Sequence, residues 1–167
     1  GCFLTSSVGL GKSYVASQLL YNISRNGFKC AYFSLEISNE MIVSRMVGSL
    51  ANIKPTKLRM GMIQPIELER KQKAIAELRL LGENVSFYDN IYEIENIVGE
   101  IKKNNYDFIV IDFIQNIFGK GEDQQTRLTN VSLILQKTAK EIDGTIVAIS
   151  QLSNAVVREG SNSTVVE

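Results

Sequence analysis

Two stretches of this sequence, Phe108–Ile111 (FIVI) and Thr145–Ser150 (TIVAIS), read as apolar throughout, with no polar residue alternating in. A strand with one wet face alternates; a strand without alternation needs cover on both faces, which in practice means a parallel sheet sandwiched between helices. Each stretch follows a segment of helical period. Tyr92–Asn104 precedes the first. Leu128, Val131, Leu135, Thr138 and Ile142, spaced by three and four, precede the second, and Asp143-Gly144 turns the chain between them. Strands alternating with helices of this length imply right-handed crossovers. The expectation is one α/β domain over residues 1–167, in three layers around a mainly parallel sheet.

The rest of the chain repeats the pattern. Gly1–Thr5 reads as a short buried strand, followed by a loop over Ser6–Gly11. Lys12–Arg25 reads as a helix with Val15, Leu19 and Ile23 as its apolar stripe, ended by Asn26-Gly27. Lys29–Leu35 (KCAYFSL) reads as a strand. Ser38 suits the N-cap of a helix whose Ile42, Met46, Leu50 and Ile53 share a face. After a polar stretch over Lys54–Gln64, Pro65 opens a helix expected to carry Leu68, Ile75 and Leu78 toward a core and to stop near Gly82. Val85–Tyr88 reads as another strand, Gly119–Gln125 as a polar loop and Gln151–Glu167 as a polar tail. Tyr32, Phe33, Phe108 and Phe113 lie in or beside strands and are expected in the core.

Composition removes whole classes of chemistry. The chain has no histidine, so Ser-His-Asp and Cys-His catalysis, His-ligated zinc and imidazole acid–base chemistry are excluded. Two cysteines, Cys2 and Cys30, form no CxxC pair, and two buried thiols in a reducing, cytoplasmic setting are expected. Eighteen Lys plus Arg balance eighteen Asp plus Glu, which argues against an overall basic surface while permitting a local basic lining. No apolar run is long enough for a membrane span, and no membrane partner is expected. The chain opens in mid-strand without Met, which suggests a piece of a longer protein.

The sharpest local signal is Ser6-Ser7-Val8-Gly9-Leu10-Gly11-Lys12-Ser13, set between a strand and a helix. Gly9 and Gly11 let the backbone curl so that successive N–H groups face an anion, and the helix start adds its positive dipole end. Lys12 would reach the β- and γ-phosphates of a nucleotide, and the Ser13 hydroxyl would ligate Mg2+. A plain Gly-rich turn with a solvated lysine would leave the same string, and Ser6 stands where the common pattern has Gly. Asp112 closes the run FIVI, at the carboxyl end of a buried strand, where α/β sheets bind ligands. There it suits Mg2+ coordination beside Ser13, or serves merely as a helix N-cap. Glu36, ending KCAYFSL on a strand expected beside the first, could deprotonate an attacking water, or be a solvated glutamate. Gln151, after TIVAIS, is a neutral donor suited to sensing a γ-phosphate. Lys120, Arg127 and Arg158 lie in or near the loops after Asp112 and Gln151 and are candidate contacts to a nucleic-acid backbone, or ordinary solvated charges.

Together SSVGLGKS, YFSLEIS (Tyr32–Ser38), YDFIVIDFIQNI (Tyr106–Ile117) and ISQLS (Ile149–Ser153) resemble the ATPase domain of DnaB-type replicative helicases, within the RecA-like P-loop superfamily. Asn52–Gly61 resembles a further stretch of that family, and the likeness spans nearly the whole chain in order. The resemblance implies an ATP- and Mg2+-dependent hexameric motor that translocates on single-stranded DNA and unwinds a replication fork, with primase and a helicase loader as further partners. It implies Lys12 and Ser13 as the Walker A lysine and hydroxyl, Glu36 as catalytic base, Asp112 as the Walker B aspartate and Gln151 as γ-phosphate sensor. Arg45 also matches a family arginine and receives no role.

Asn154 stands where the family often has Arg. Relative to the family, the N-terminal collar domain, the Gly-rich DNA-binding loop and the strand bearing the trans-acting arginine finger are expected to lie outside this chain. Two other readings remain open: a RadA- or KaiC-like ATPase acting in recombination or signalling without unwinding, and a nucleotide-binding assembly or loader module without catalysis. A small-molecule kinase fits worst, because no arginine-rich lid segment is present.

Overall fold

The computed structural model describes residues 2–6 and 11–151, with side chains described from residue 11 onward. In chain order the elements are β1 (Cys2–Ser6), α1 (Lys12–Ser24), β2 (Cys30–Ser34), α2 (Asn39–Ala51), α3 (Pro55–Met60), α4 (Pro65–Leu80), β3 (Val85–Tyr88), α5 (Ile94–Asn104), β4 (Phe108–Asp112), a 3-10 turn at Ile114–Asn116, α6 (Gln124–Glu141) and β5 (Thr145–Gln151).

The five strands form one sheet in the order β1-β5-β4-β2-β3, and every neighbouring pair runs parallel. The sequence expectation of a parallel three-layer α/β domain therefore holds. On one face α1 and α2 bring Ala16, Leu20, Ile42 and Met46 onto Tyr32, Val110, Val147 and Ile149. On the other, α5 and α6 bring Ile97, Ile101, Val131 and Leu135 onto Phe33, Ile109, Ile111 and Ala148. The steps from β1 to β2 to β3 move one way with their helices on the first face. The steps back to β4 and β5 move the other way with helices on the second, so every crossover keeps the same hand. All residues of β2 and β4 are buried, as a doubly covered strand requires.

Local chemistry places the helix starts. Ser38 caps α2, its Oγ accepting the Met41 N–H at 3.4 Å. Asp123 caps α6, accepting the Thr126 N–H at 2.9 Å. Pro65 is the first residue of α4, and the Glu67 carboxylate reaches back to accept the Gln64 N–H at 2.9 Å. Asp143, at φ 52, turns the chain out of α6.

Three expectations require correction. The stripe Val15, Leu19, Ile23 faces the sheet only at its end: Ile23 packs against the core, but Val15 is 47% and Leu19 40% exposed, while Ala16, Ser17, Leu20, Tyr21 and Ser24 are buried. Small side chains let α1 lie close on the strands, so the buried stripe is rotated by one residue and Val15 and Leu19 turn outward. Leu68 is likewise exposed, although Ile75 and Leu78 do pack against the core as expected; α4 also buries Glu67 and Ala74, the carboxylate matched by the Lys57 ammonium at 2.8 Å. Finally, β2 is not next to β1. Both β5 and β4 lie between them, because the α5 and α6 crossovers return into the gap. The polar stretch over residues 54–64 also contains the short helix α3, which periodicity does not reveal in six residues.

Candidate nucleotide-binding site at the carboxyl edge of the sheet

All five strands point their carboxyl ends to one edge, and four of those ends carry the residues singled out in the sequence. Ser6 pairs with Gln151 across β1 and β5, Asp112 pairs with Ile149 across β4 and β5, and Ser34 pairs with Asp112 across β2 and β4. Glu36 follows β2 by two residues, so it stands beside the end of β4 rather than beside β1. Ser7, Val8, Gly9, Leu10 and Arg158 lie outside the described residues, as does the Ser6 side chain.

Helix α1 begins at Lys12, with Gly11 before it at φ 77, a left-handed conformation that costs glycine little. Gly11 offers no capping side chain and the first turn holds no acid, so the helix start keeps its positive end. That end opens into a cavity of about 710 Å3 whose lining includes Gly11, Lys12, Ser13, Glu36, Phe113 and Gln151. A second groove of about 950 Å3 adjoins it, sharing Glu36, Phe113 and Gln151 and otherwise bordered mostly by Gln, Asn, Ser and Thr residues of the 3-10 turn, α6 and β5. Arg45 also lines the first cavity, from α2.

Asp112 lies on this edge at the end of β4 but is not among the residues lining either cavity. It is 3% exposed, and its two oxygens differ in kind. Oδ2 accepts the Tyr32 hydroxyl at 2.6 Å, while Oδ1 is fully buried with no hydrogen-bond partner. A buried carboxylate oxygen left unmatched costs on the order of 1–3 kcal/mol or more unless a ligand completes it. Burial, then the Asp112 charge, push the Tyr32 phenol far above its usual range, so Tyr32 remains a donor to Asp112 at any working pH. The donor set suits Mg2+: a hard-oxygen carboxylate, a hydroxyl at Ser13 and phosphate oxygens of a nucleotide meet its preference. Among the described residues no three His, Cys, Asp or Glu side chains cluster as a protein-only metal cage.

Tyr32 is expected only as core, and it is core, yet it also orients Asp112. Strand parity carries that signal: Tyr32 pairs with Val110, and Asp112, two residues on, shares its face. Gln115 and Asn116 likewise carry no role in the sequence reading, and both bond into the site. Of the candidate nucleic-acid contacts, Lys120 is exposed and Arg127 half-buried, neither lining the nucleotide cavity or the groove. Cys30 is buried, and desolvation followed by the Asp107 charge pushes its thiol up to about 12.

The fold is RecA-like: a parallel sheet with a glycine-led helix start and a buried aspartate converging at its carboxyl side. Residues 2–163 match the model of the DnaB-like helicase C terminal domain, and the chain belongs to that family. It is 31% identical over 159 residues to a probable plasmid replicative DNA helicase of Chlamydia trachomatis, covering 88% of this chain and 34% of the relative. In fold it is similar to a solved ATPase domain, at TM-score 0.84 and 21% identity over 94% of this chain and 58% of that one. It is also similar to a DnaB-like replicative helicase studied with primase, at TM-score 0.83 and 20% identity over 94% of this chain and 40% of that one. The chain thus spans at most about a third of the length of the curated relatives it matches. Among the described residues no helix is long and apolar enough to cross a membrane.

Proposed function

We propose that the chain is the ATP-hydrolysing motor domain of a replicative DNA helicase that works as a homo-hexamer, translocating on single-stranded DNA to unwind duplex at a fork. The observation that carries this reading is the buried, unpartnered Asp112 Oδ1 on the edge to which α1 presents Lys12 and Ser13.

In this reading residues Ser6–Gly11 wrap the phosphates with backbone N–H groups, and the Lys12 ammonium binds the β- and γ-phosphoryl oxygens. Ser13 and Asp112 would hold Mg2+, which when bound neutralises charge on the β- and γ-phosphate oxygens. Glu36, exposed at the mouth of the cavity, accepts the proton of the water that attacks the γ-phosphorus in line. Gln151 donates a hydrogen bond to the γ-phosphoryl group and reports its departure through β5. Lys120, Arg127 and Arg158 are proposed to meet the backbone of single-stranded DNA, with several copies around a ring supplying the charge that one copy lacks. Primase and a loader complete the expected partners, the first supported by the structural relative studied with its primase.

The test is ATP turnover by the full-length protein with and without single-stranded DNA, alongside opening of a forked duplex. Both should be lost in Lys12→Ala, with turnover falling by about 10²–10³-fold or more, the usual effect of deleting a donor aimed at developing charge. Turnover without fork opening would favour a recombination or signalling ATPase. No turnover in the wild type would favour an assembly module.

A further inference from the structure

We propose that Gln115 and Asn116, adjacent amides on the turn that follows Asp112, are positioning residues that set the sensor Gln151 and the base Glu36 relative to Asp112. The proposal rests on the functional reading above. Its basis is where the sheet ladder stops. On the β2 side the β4 pairing ends at Ser34–Asp112, and on the β5 side it ends at Asp112–Ile149. Glu36 and Gln151 each lie two residues beyond those last pairs, past the reach of β4's own backbone.

The two amides take over at that point, one on each side. Asn116 Nδ2 donates to the Leu35 carbonyl at 2.9 Å, while the Leu35 N–H donates to the Asp112 carbonyl at 2.7 Å. Both polar backbone groups of the residue before Glu36 are therefore tied to the segment that carries Asp112. Gln115 Nε2 donates to Ser150 Oγ at 2.8 Å and to the Gln151 carbonyl at 2.9 Å, which fixes the end of β5. Ile114, 3% exposed, anchors the turn in the core between them. The proton acceptor and the γ-phosphate donor thus share one short reference point, and their spacing holds without either touching the other.

A device of this kind acts on chemistry more than on binding, because phosphate affinity resides at the start of α1. In the full-length protein we expect Asn116→Ala and Gln115→Ala each to lower kcat by about 10–100-fold, the scale of a misplaced catalytic group. The Kd for a fluorescent ATP analogue should stay within about threefold, since the positioning effect is separate from uniform binding. Asn116→Asp keeps the volume but sets an acceptor against the Leu35 carbonyl, so it should reproduce the loss of kcat with a modestly lower Tm and an unchanged Kd for the analogue, which separates positioning from binding. Turnover within about twofold of wild type in these variants would overturn the proposal, as would affinity and kcat falling together with Tm. If the wild type turns ATP over and Lys12→Ala does not, that failure belongs to the positioning role of Gln115 and Asn116 alone. If the wild type shows no turnover, the functional reading fails and the positioning role fails with it.

Discussion

Strand β4 is bounded by two aspartates, Asp107 just before it and Asp112 at its end, and they mark opposite edges of the sheet in opposite states. Asp107 is matched: its Oδ2 accepts the Lys29 N–H at 2.7 Å, its own N–H donates to the Lys29 carbonyl at 2.8 Å, and its carbonyl accepts the Thr145 N–H at 2.8 Å. Lys29 adds a bond from Nζ to the Asn104 carbonyl at 2.8 Å. At the other edge Asp112 Oδ1 and Gln115 Oε1 are buried without partners. Folding alone explains the first edge. The second withholds hydrogen-bonding capacity that folding could have used, and proteins accept that cost where a ligand restores it.

The sharpest contrast is between the two aspartates themselves. Asp112→Asn should lower Mg2+-dependent ATP turnover by about 10²-fold or more, the scale of losing an electrostatic stabiliser in a site. Its Tm should change little, since an amide of the same size keeps an oxygen to accept the Tyr32 hydroxyl. Asp107→Ala should do the reverse, costing about 0.5–1.5 kcal/mol for a lost hydrogen bond while leaving turnover within about twofold. Thermal melts and turnover of both variants, run side by side, check this. Equal effects on turnover would erase the distinction between the edges.

Tyr32→Phe probes the same edge from below. It removes the hydroxyl that satisfies Oδ2 and leaves a buried carboxylate with neither oxygen matched, at a cost of about 1–3 kcal/mol by chemical denaturation. The sign with pH follows from the raised phenol. A proton held more tightly in the folded state contributes stability that is fully present below the unfolded value near 10 and declines only as pH climbs above it. The difference between wild type and Tyr32→Phe should therefore be flat from neutral pH to about 10 and narrow beyond.

How much of this is legible in the sequence divides along physical lines. FIVI and TIVAIS declare doubly covered strands because lack of alternation has one structural solution, and Ser38, Pro65 and Asp143-Gly144 declare ends because capping and turn chemistry are local. Lys12, Ser13, Asp112 and Gln151 are legible as strand-end and helix-start residues in the expected order. Strand order is not, since whether a crossover lands beside β1 or beyond two inserted strands depends on chain written later. The buried stripe of α1 is hidden because close packing favours Ala16 and Ser17 over the larger Val15 and Leu19. Tyr32, Gln115 and Asn116 escape notice because their roles lie in contacts to residues at least 35 positions away.

Glu67 offers a carboxylate in the Asp107 state, outside the lining of the nucleotide cavity. The Gln64 N–H, then the Lys57 ammonium, hold it below the usual carboxylate range. The proton is bound more weakly in the folded chain, so Glu67 contributes stability above its unfolded value of about 4.5, and that contribution fades as pH falls through the lower folded value. Glu67→Gln should lower Tm modestly at pH 7, and the gap should close on acidification below about pH 4. Turnover at neutral pH should match wild type, because α4 contributes no group to the carboxyl edge. A Tm gap that widened with acid would mean the carboxylate is held by something other than its cap and Lys57. Lost turnover would mean the matched and unmatched carboxylates are coupled, and the division between a folding edge and a working edge would have to be redrawn.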